Sequence, residues 1–206
     1  LPRVEEAVSD AAHFTPFHWV DALLAGKSRR ALHILHQLEK EESEVVILLR
    51  TLQRDMLTLL HLQRHQAQQP LRTLMDQQRI WQNRRALFTE ALQRLDAARL
   101  QRAIHLLSQI EVTLKQDYAE VLTRSPDPQD NRQASLLLRA LLKAEPQNPR
   151  TLGLMAFNAY GQQQYDQAIE AWQALLNVLP AGDTRRAMIA RSIEQARSDA
   201  GEQSRQ

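Results

Sequence analysis

The chain has 206 residues, 43% of them hydrophobic, with 26 basic against 24 acidic residues, five glycines, eight prolines and no cysteine. That length allows one domain or two small ones, each with a real core, and the composition excludes collagen-like chains, Gly/Ser linkers, disulfides, thiolate nucleophiles, iron–sulfur clusters and Cys-based zinc sites. No apolar run approaches the ~18–20 residues that span a bilayer. The opening LPRVEEAVSD has neither a signal-peptide core nor an initial Met, so it reads as a trimmed fragment or a processed product.

Helical periodicity runs through nearly every segment, with Gly and Pro between segments. Val4–His13 reads as a short helix. Thr15-Pro16 is an N-cap with Pro at N1 for a helix through Val20 and Leu24, and Gly26 is its stop. Phe17 and Trp19, two residues apart, cannot share a narrow face, so one is core and the other contact. Ser28 caps the next helix. A long helix spans Glu44–His65, and Pro70 opens a short element holding Leu71, Leu74 and Met75. Ile80–Leu95 reads as one helix, and Asp96 caps another that runs to about Val121. Ser125-Pro126-Asp127-Pro128-Gln129-Asp130-Asn131 is the clearest linker. Helices resume over Arg132–Ala144, Pro149–Tyr160, Tyr165–Leu179 and Thr184–Ser198, and the tail frays. No strand pattern occurs, so the fold class is all-α: a helical bundle followed by a short stack of helical hairpins.

Charge is unevenly placed. Residues 44–115 carry 11 basic and 6 acidic side chains. Arginine suits protein interfaces as well as phosphates, so the excess does not choose a partner. Arg79, Arg84 and Arg85 flank Trp81. A basic cluster beside an aromatic is equipped to stack on single-stranded nucleic acid or to anchor a protein interface. His61 and His65 lie one turn apart, but Leu62 stands where a zincin helix needs Glu and no third ligand is at hand. These two, and His33 with His36, read as surface or interface histidines. There is no phosphate-binding Gly loop, no nucleophile elbow, and no expected catalytic, cofactor or metal residue.

A period of 34 residues appears after the linker. Ala134, Leu138, Leu141 and Pro146 recur as Ala168, Trp172, Leu175 and Pro180. That is the tetratricopeptide period, and each repeat is a helix pair that must stack on a neighbour. Residues 148–180 resemble one complete repeat of that family. The resemblance implies that Leu152, Met155, Ala156 and Ala159 face inward from its first helix. Ala156 and Ala168 permit close approach, Trp172 and Leu175 fill the second helix's interface, and Pro180 ends it. Residues 132–146 look like the second helix alone of a preceding repeat. The stretch from Ala168 to Arg197 is similar to repeat modules of bacterial cytochrome c maturation proteins, which hold apocytochrome or haem-lyase partners.

The first half carries a closer resemblance. The phrases Phe14-Thr15-Pro16-Phe17-His18-Trp19-Val20-Asp21-Ala22-Leu23-Leu24, Ile47-Leu48-Leu49-Arg50-Thr51-Leu52-Gln53-Arg54 and Trp81-Gln82-Asn83-Arg84-Arg85 resemble the C-terminal region of the delta subunit of the bacterial DNA polymerase III clamp loader, over residues 1–118. The resemblance implies a non-catalytic collar domain that packs beside collars of other loader subunits. After Tyr118 the family's pattern gives way to the repeats, so the joint reads as a fusion.

The expected organisation is therefore a collar-like domain over 1–122, with 1–14 the tail of a preceding lid domain, then a linker over 123–131. A tetratricopeptide-like domain follows over 132–199 and a disordered tail over 200–206. The expected interface residues are Trp81, Arg79, Arg84, Arg85, Arg50 and Arg54. The expected partners are other clamp-loader subunits, held weakly because the collar is incomplete, and a peptide or protein at the repeats. Direct DNA binding is not expected, although the 44–115 region supplies the rival reading of a nucleic-acid binder. A cytochrome c maturation accessory module is a further alternative. The collar reading implies the cytoplasm; the repeats alone also suit the periplasm.

Overall fold

A computed structural model describes residues 13–41 and 44–206. The helix expected over Val4–His13 and the lid tail fall almost wholly outside those residues. Among the described residues there are ten α-helices and no strand. The chain divides into two compact units between Glu111 and Val112.

The first unit begins with α1 (Pro16–Leu24). Thr15 is extended, and its backbone N–H donates to His18 Nδ1 at 2.9 Å. His18 thus takes the place that Glu or Gln holds in a capping box. The helix stops where the sequence predicts. Gly26 has φ 72°, and Lys27 N–H and Gly26 N–H bond the carbonyls of Ala22 and Leu23 at 2.9 and 3.0 Å, which is a Schellman cap. A Cβ on Gly26 would run into the Arg94 guanidinium. Helix α2 (Ser28–Lys40) has its N-cap at Lys27, so Ser28 is the first helical residue and not the cap. Helix α3 (Val45–His65) is followed by α4 (Leu71–Gln77), a 3₁₀ turn (Gln82–Arg84) and α5 (Arg85–Arg94). Ile80 and Trp81, expected inside a helix, lie in the turn before it. The break has a cause: α4 closes in a second Schellman cap, with Arg79 at φ 54°.

Helix α1 packs on α2, α3 and α5, and α3 on α4 and α5. One core cluster joins Phe14, Ala22, Ala31, Ile34, Leu38 and Leu48, with Trp19 partly buried against it. Leu59 and Leu62 of α3, and Phe88 of α5, are almost wholly buried. Each such side chain contributes about 1.5–3 kcal/mol through removal from water.

Helix α6 (Ala97–Arg124) starts at its predicted cap, where Asp96 Oδ1 accepts from Arg99 N–H at 2.8 Å. It outruns its expected end, and its last half, from Val112, lies in the second unit. That unit continues with α7 (Pro128–Ala144), α8 (Pro149–Gly161), α9 (Tyr165–Val178) and α10 (Arg186–Arg205). Ala119 packs with Leu138 and Leu141 of α7, and Leu152 with Leu175, Ile189 and Ile193. The 132–146 segment is therefore not a lone second helix: residues 112–124 supply its partner. Gln116, 4% exposed, donates from Nε2 to Asn148 Oδ1 and Thr151 Oγ1, both at 2.9 Å.

Two further expectations change. Of residues 123–131, only Ser125–Asp127 are non-helical, and they are tied down. Ser125 Oγ donates to Asp130 at 2.6 Å, and Asp127 accepts from Gln129 N–H. Asn131 Nδ2 reaches the carbonyls of Leu122, Thr123 and Ser125 at 3.0–3.2 Å. Pro128 sits at N1 of α7, so it starts a helix instead of interrupting one. The tail is helical through Arg205.

Candidate protein-interaction surfaces

The first unit carries a groove of about 660 Å³ lined by α1, α3 and the turn after α4. It brings together Trp81, Arg79, Arg84 and Arg54 with Phe17 and Asp55. Trp81 is 75% exposed and Phe17 52%. Between Phe17 and Trp19, Phe17 is thus the exposed residue and Trp19 the packed one. Arg50 and Arg85 are not among the groove's lining residues. Arg50 Nε instead pairs with Glu111 at 3.3 Å.

The four remaining arginines fall into two kinds. Arg84 Nη2 donates to Asp21 Oδ1 at 2.6 Å and to Asp55 Oδ2 at 2.9 Å, and its guanidinium lies over Phe88. Burial disfavours its charge, yet the hydrogen bonds to Asp55 and Asp21 outweigh that and raise its pKa. Arg85 Nε donates to the Ile80 carbonyl at 2.9 Å, and Nη1 pairs with Asp76 at 2.6 Å. By contrast, Arg54 and Arg79 are exposed and form no ion pair or hydrogen bond through their side chains among the described residues. The groove therefore offers two unpaired cations and two exposed aromatic rings. His61 and His65 lie elsewhere on α3, stacked ring on ring at 4.3 Å. His65 Nδ1–H donates to the His61 carbonyl at 2.8 Å, so that nitrogen holds a proton and not a lone pair for a metal.

In the second unit the repeat residues are packing groups. Leu152, Ala156, Ala168 and Leu175 are buried, and Met155 and Trp172 are partly buried against the two core clusters. Leu179 is extended ahead of Pro180, as the ring requires, and α9 ends at Val178. A groove of about 400 Å³ runs between α7, α8 and α9, with Leu142, Leu152 and Met155 along it and Arg139 and Glu170 at its edges. Arg150 links α8 to the last turns of α6 through Asp117 at 2.6 Å and Glu120 at 3.2 Å; the bond to Asp117 is the main cause of its raised pKa. Tyr160 Oη donates to Asp199, which raises the phenol's pKa.

No group of three or more His, Asp or Glu side chains suited to a metal occurs among the described residues. No helix among them is long and apolar enough to cross a membrane. An aromatic and arginine-lined groove on a helical bundle, followed along the chain by stacked helical hairpins, defines an all-α protein built of two helical modules. Residues 16–125, more than half of the chain, match the family described as "Processivity clamp loader gamma complex DNA pol III C-term", and the chain belongs to it. Residues 106–186 match the "Cytochrome c-type biogenesis protein H TPR domain".

The relatives divide the same way. DNA polymerase III subunit delta of Escherichia coli is 64% identical over 120 residues, 58% of this chain and 35% of that protein. The Haemophilus influenzae delta subunit is 44% identical over 127 residues, covering 57% of this chain and 37% of its own length. Cytochrome c-type biogenesis protein CcmH of Escherichia coli is 54% identical over 79 residues, 38% of this chain and 23% of the relative. The chain thus spans about a third of the delta subunits and about a quarter of CcmH.

Proposed function

We propose that this chain is a non-catalytic interaction protein with two binding modules. The first unit acts as a collar-type module that engages other clamp-loader subunits in DNA replication, which implies the cytoplasm. The second holds a peptide or protein in the manner of a tetratricopeptide module. The observation that carries the first reading is the groove with Trp81 75% exposed beside Phe17, inside the segment that matches the clamp-loader family. An exposed tryptophan at the mouth of a groove is the kind of anchor on which interface energy concentrates. The full chain, mixed with the remaining subunits of a clamp loader, should co-elute weakly in size-exclusion chromatography with light scattering. Trp81→Ala should abolish the co-elution while leaving the unfolding midpoint unchanged. Co-elution that survives Trp81→Ala removes the groove from the interface.

One observation favours a second reading of the same groove. Arg54 and Arg79 are unpaired and flank a ring that can stack on a base. A single-stranded oligonucleotide titrated into the chain distinguishes the readings. Binding that weakens steeply between 50 and 200 mM salt, and is lost in Trp81→Ala, assigns the groove to nucleic acid. For the second unit, the similarity to CcmH supports a cytochrome c biogenesis partner at the repeats as the alternative to a generic peptide. Pull-down of an apocytochrome by the full chain, lost on Arg139→Glu, is the expected result for that alternative.

A further inference from the structure

We infer that Arg84 and Arg85 are positioning residues, whose work is to hold the turn that presents Arg79 and Trp81. This deepens the reading of the groove as a binding site. The residue types alone make Arg79, Arg84 and Arg85 look interchangeable around Trp81. Their bonding separates them.

The turn over residues 78–84 is built from the inside. Arg79 N–H bonds the Asp76 carbonyl at 3.1 Å, and Ile80 N–H bonds the Met75 carbonyl at 3.0 Å. Those two bonds close the cap of α4. Ile80 and Met75, both buried, supply the apolar contact that accompanies such a cap. Arg85 then buckles the turn from the far side. Its Nε donates to the Ile80 carbonyl and its Nη1 pairs with Asp76, so one guanidinium ties the turn to the last turn of α4. Arg84 closes the 3₁₀ turn, with its N–H on the Trp81 carbonyl at 2.9 Å. Its side chain is anchored below by Asp21 and Asp55. Both guanidiniums are thus committed to carboxylates of the same unit. Their remaining capacity for a partner is small, because charge-assisted bonds of this kind are strong and directional.

Arg79 shows the opposite pattern. It occupies the left-handed position where glycine is the default, at φ 54°, and its side chain makes no bond among the described residues. A strained backbone that supports an unbonded side chain points to use of that side chain outside the molecule. The turn is therefore a preorganised display: two supports, Arg84 and Arg85, and two presented groups, Arg79 and Trp81.

The test needs no ligand, so it stands or falls separately from the assignment of a partner. The full chain is labelled with nitrogen-15 and 5-fluorotryptophan, and the three fluorine lines of Trp19, Trp81 and Trp172 are assigned with Trp81→Phe. In Arg85→Gln the Trp81 line should shift, with the Trp19 and Trp172 lines fixed. Amide exchange at Ile80 and Arg84 should accelerate about tenfold, while that of Leu59 and Leu62 holds. Asp76→Asn removes the ion-paired arm of the buckle from an exposed position and should shift the Trp81 line in the same direction if Arg85→Gln fails to fold. Arg79→Gly should leave the Trp81 line in place. A Trp81 line and Ile80 and Arg84 exchange rates unchanged in both Arg85→Gln and Asp76→Asn overturn the inference. So does a uniform acceleration of all amides in Asp76→Asn, which would mark general stability in place of local positioning.

Discussion

Asp55, 4% exposed in the middle of α3, has its carboxylate met by Arg84 Nη2 at 2.9 Å, from a residue 29 positions along the chain. A buried carboxylate is tolerated only when it is paired, so this contact fixes where the 82–84 turn can lie. Arg84→Leu, which leaves Asp55 buried and alone, should cost about 3 kcal/mol. The double variant Arg84→Leu with Asp55→Leu should recover most of that loss. Urea midpoints of the single and double variants decide the point: equal losses in both would mean that packing, and not the unpaired charge, sets the cost.

A third Schellman cap closes α8, where Gln163 N–H and Gln164 N–H bond the carbonyls of Tyr160 and Ala159 at 3.0 and 2.9 Å. Gly26, Arg79 and Gln163 all have positive φ, at 72°, 54° and 60°. Only the first is glycine. Gln163→Gly should stabilise the chain by up to about 1 kcal/mol, and Arg79→Gly by a similar amount. Gly26→Ala should destabilise it by more than that, because its Cβ would also displace the Arg94 guanidinium from the Leu24 carbonyl. Thermal melts of the three variants check the signs.

The Asn131 side chain caps the end of α6 by donating to three carbonyls. Asn131→Ala should cost about 1–2 kcal/mol and open the 125–127 turn to trypsin after Arg124. In the unaltered chain, cleavage there should be slow. Early cutting at Arg124 without any substitution would restore the flexible-linker reading of 123–131.

Asp183 accepts from the side chain and the backbone N–H of Arg185, which pulls its carboxyl down from the ordinary carboxylate range to about 2. A carboxyl lowered in the folded state contributes stability above its unfolded pKa and loses it as pH falls through the folded value. The contribution is therefore intact at neutral pH and fades from about pH 4 downward to about 2. Carboxyl-detected NMR should place the Asp183 midpoint near 2, and Asp183→Asn should remove the acid sensitivity of the start of α10. A midpoint near 4 in the folded chain contradicts this.

Gln116 and Thr151 give a test of the unit boundary. Gln116→Leu leaves the wholly buried Thr151 hydroxyl without its cross-helix partner. The expected loss is about 1–3 kcal/mol, confined to amides of residues 112–206 in hydrogen exchange. Protection lost instead across 13–111 would place Gln116 in the first unit.

The helices were legible because their signals are local. Thr15-Pro16, Gly26 and Asp96 each mark an end through chemistry contained within a few residues. The first helix of the first repeat was missed for a related reason. Its inward positions include Gln116, a polar residue whose burial makes sense only beside Asn148 and Thr151, more than thirty residues on. The same holds at the groove. Trp81 and its arginines were visible as a cluster, but which arginines are spoken for depends on Asp21 and Asp55, brought in from other helices. The Arg79 cap was hidden because glycine, the usual marker of such a position, is not there.

Residues 106–125 satisfy two family patterns at once, and nearly all of them lie in a single helix. A helix repeats its backbone bonding at every residue, so it carries no landmark that a splice must respect. Any recombination between genes of the two families that falls within this window and keeps the reading frame yields the same kind of element. The α6 segment is in this sense a tolerant crossover zone, whereas a joint within the 78–84 turn would part Arg84 from Asp21 and Asp55, which the clamp-loader segment supplies together.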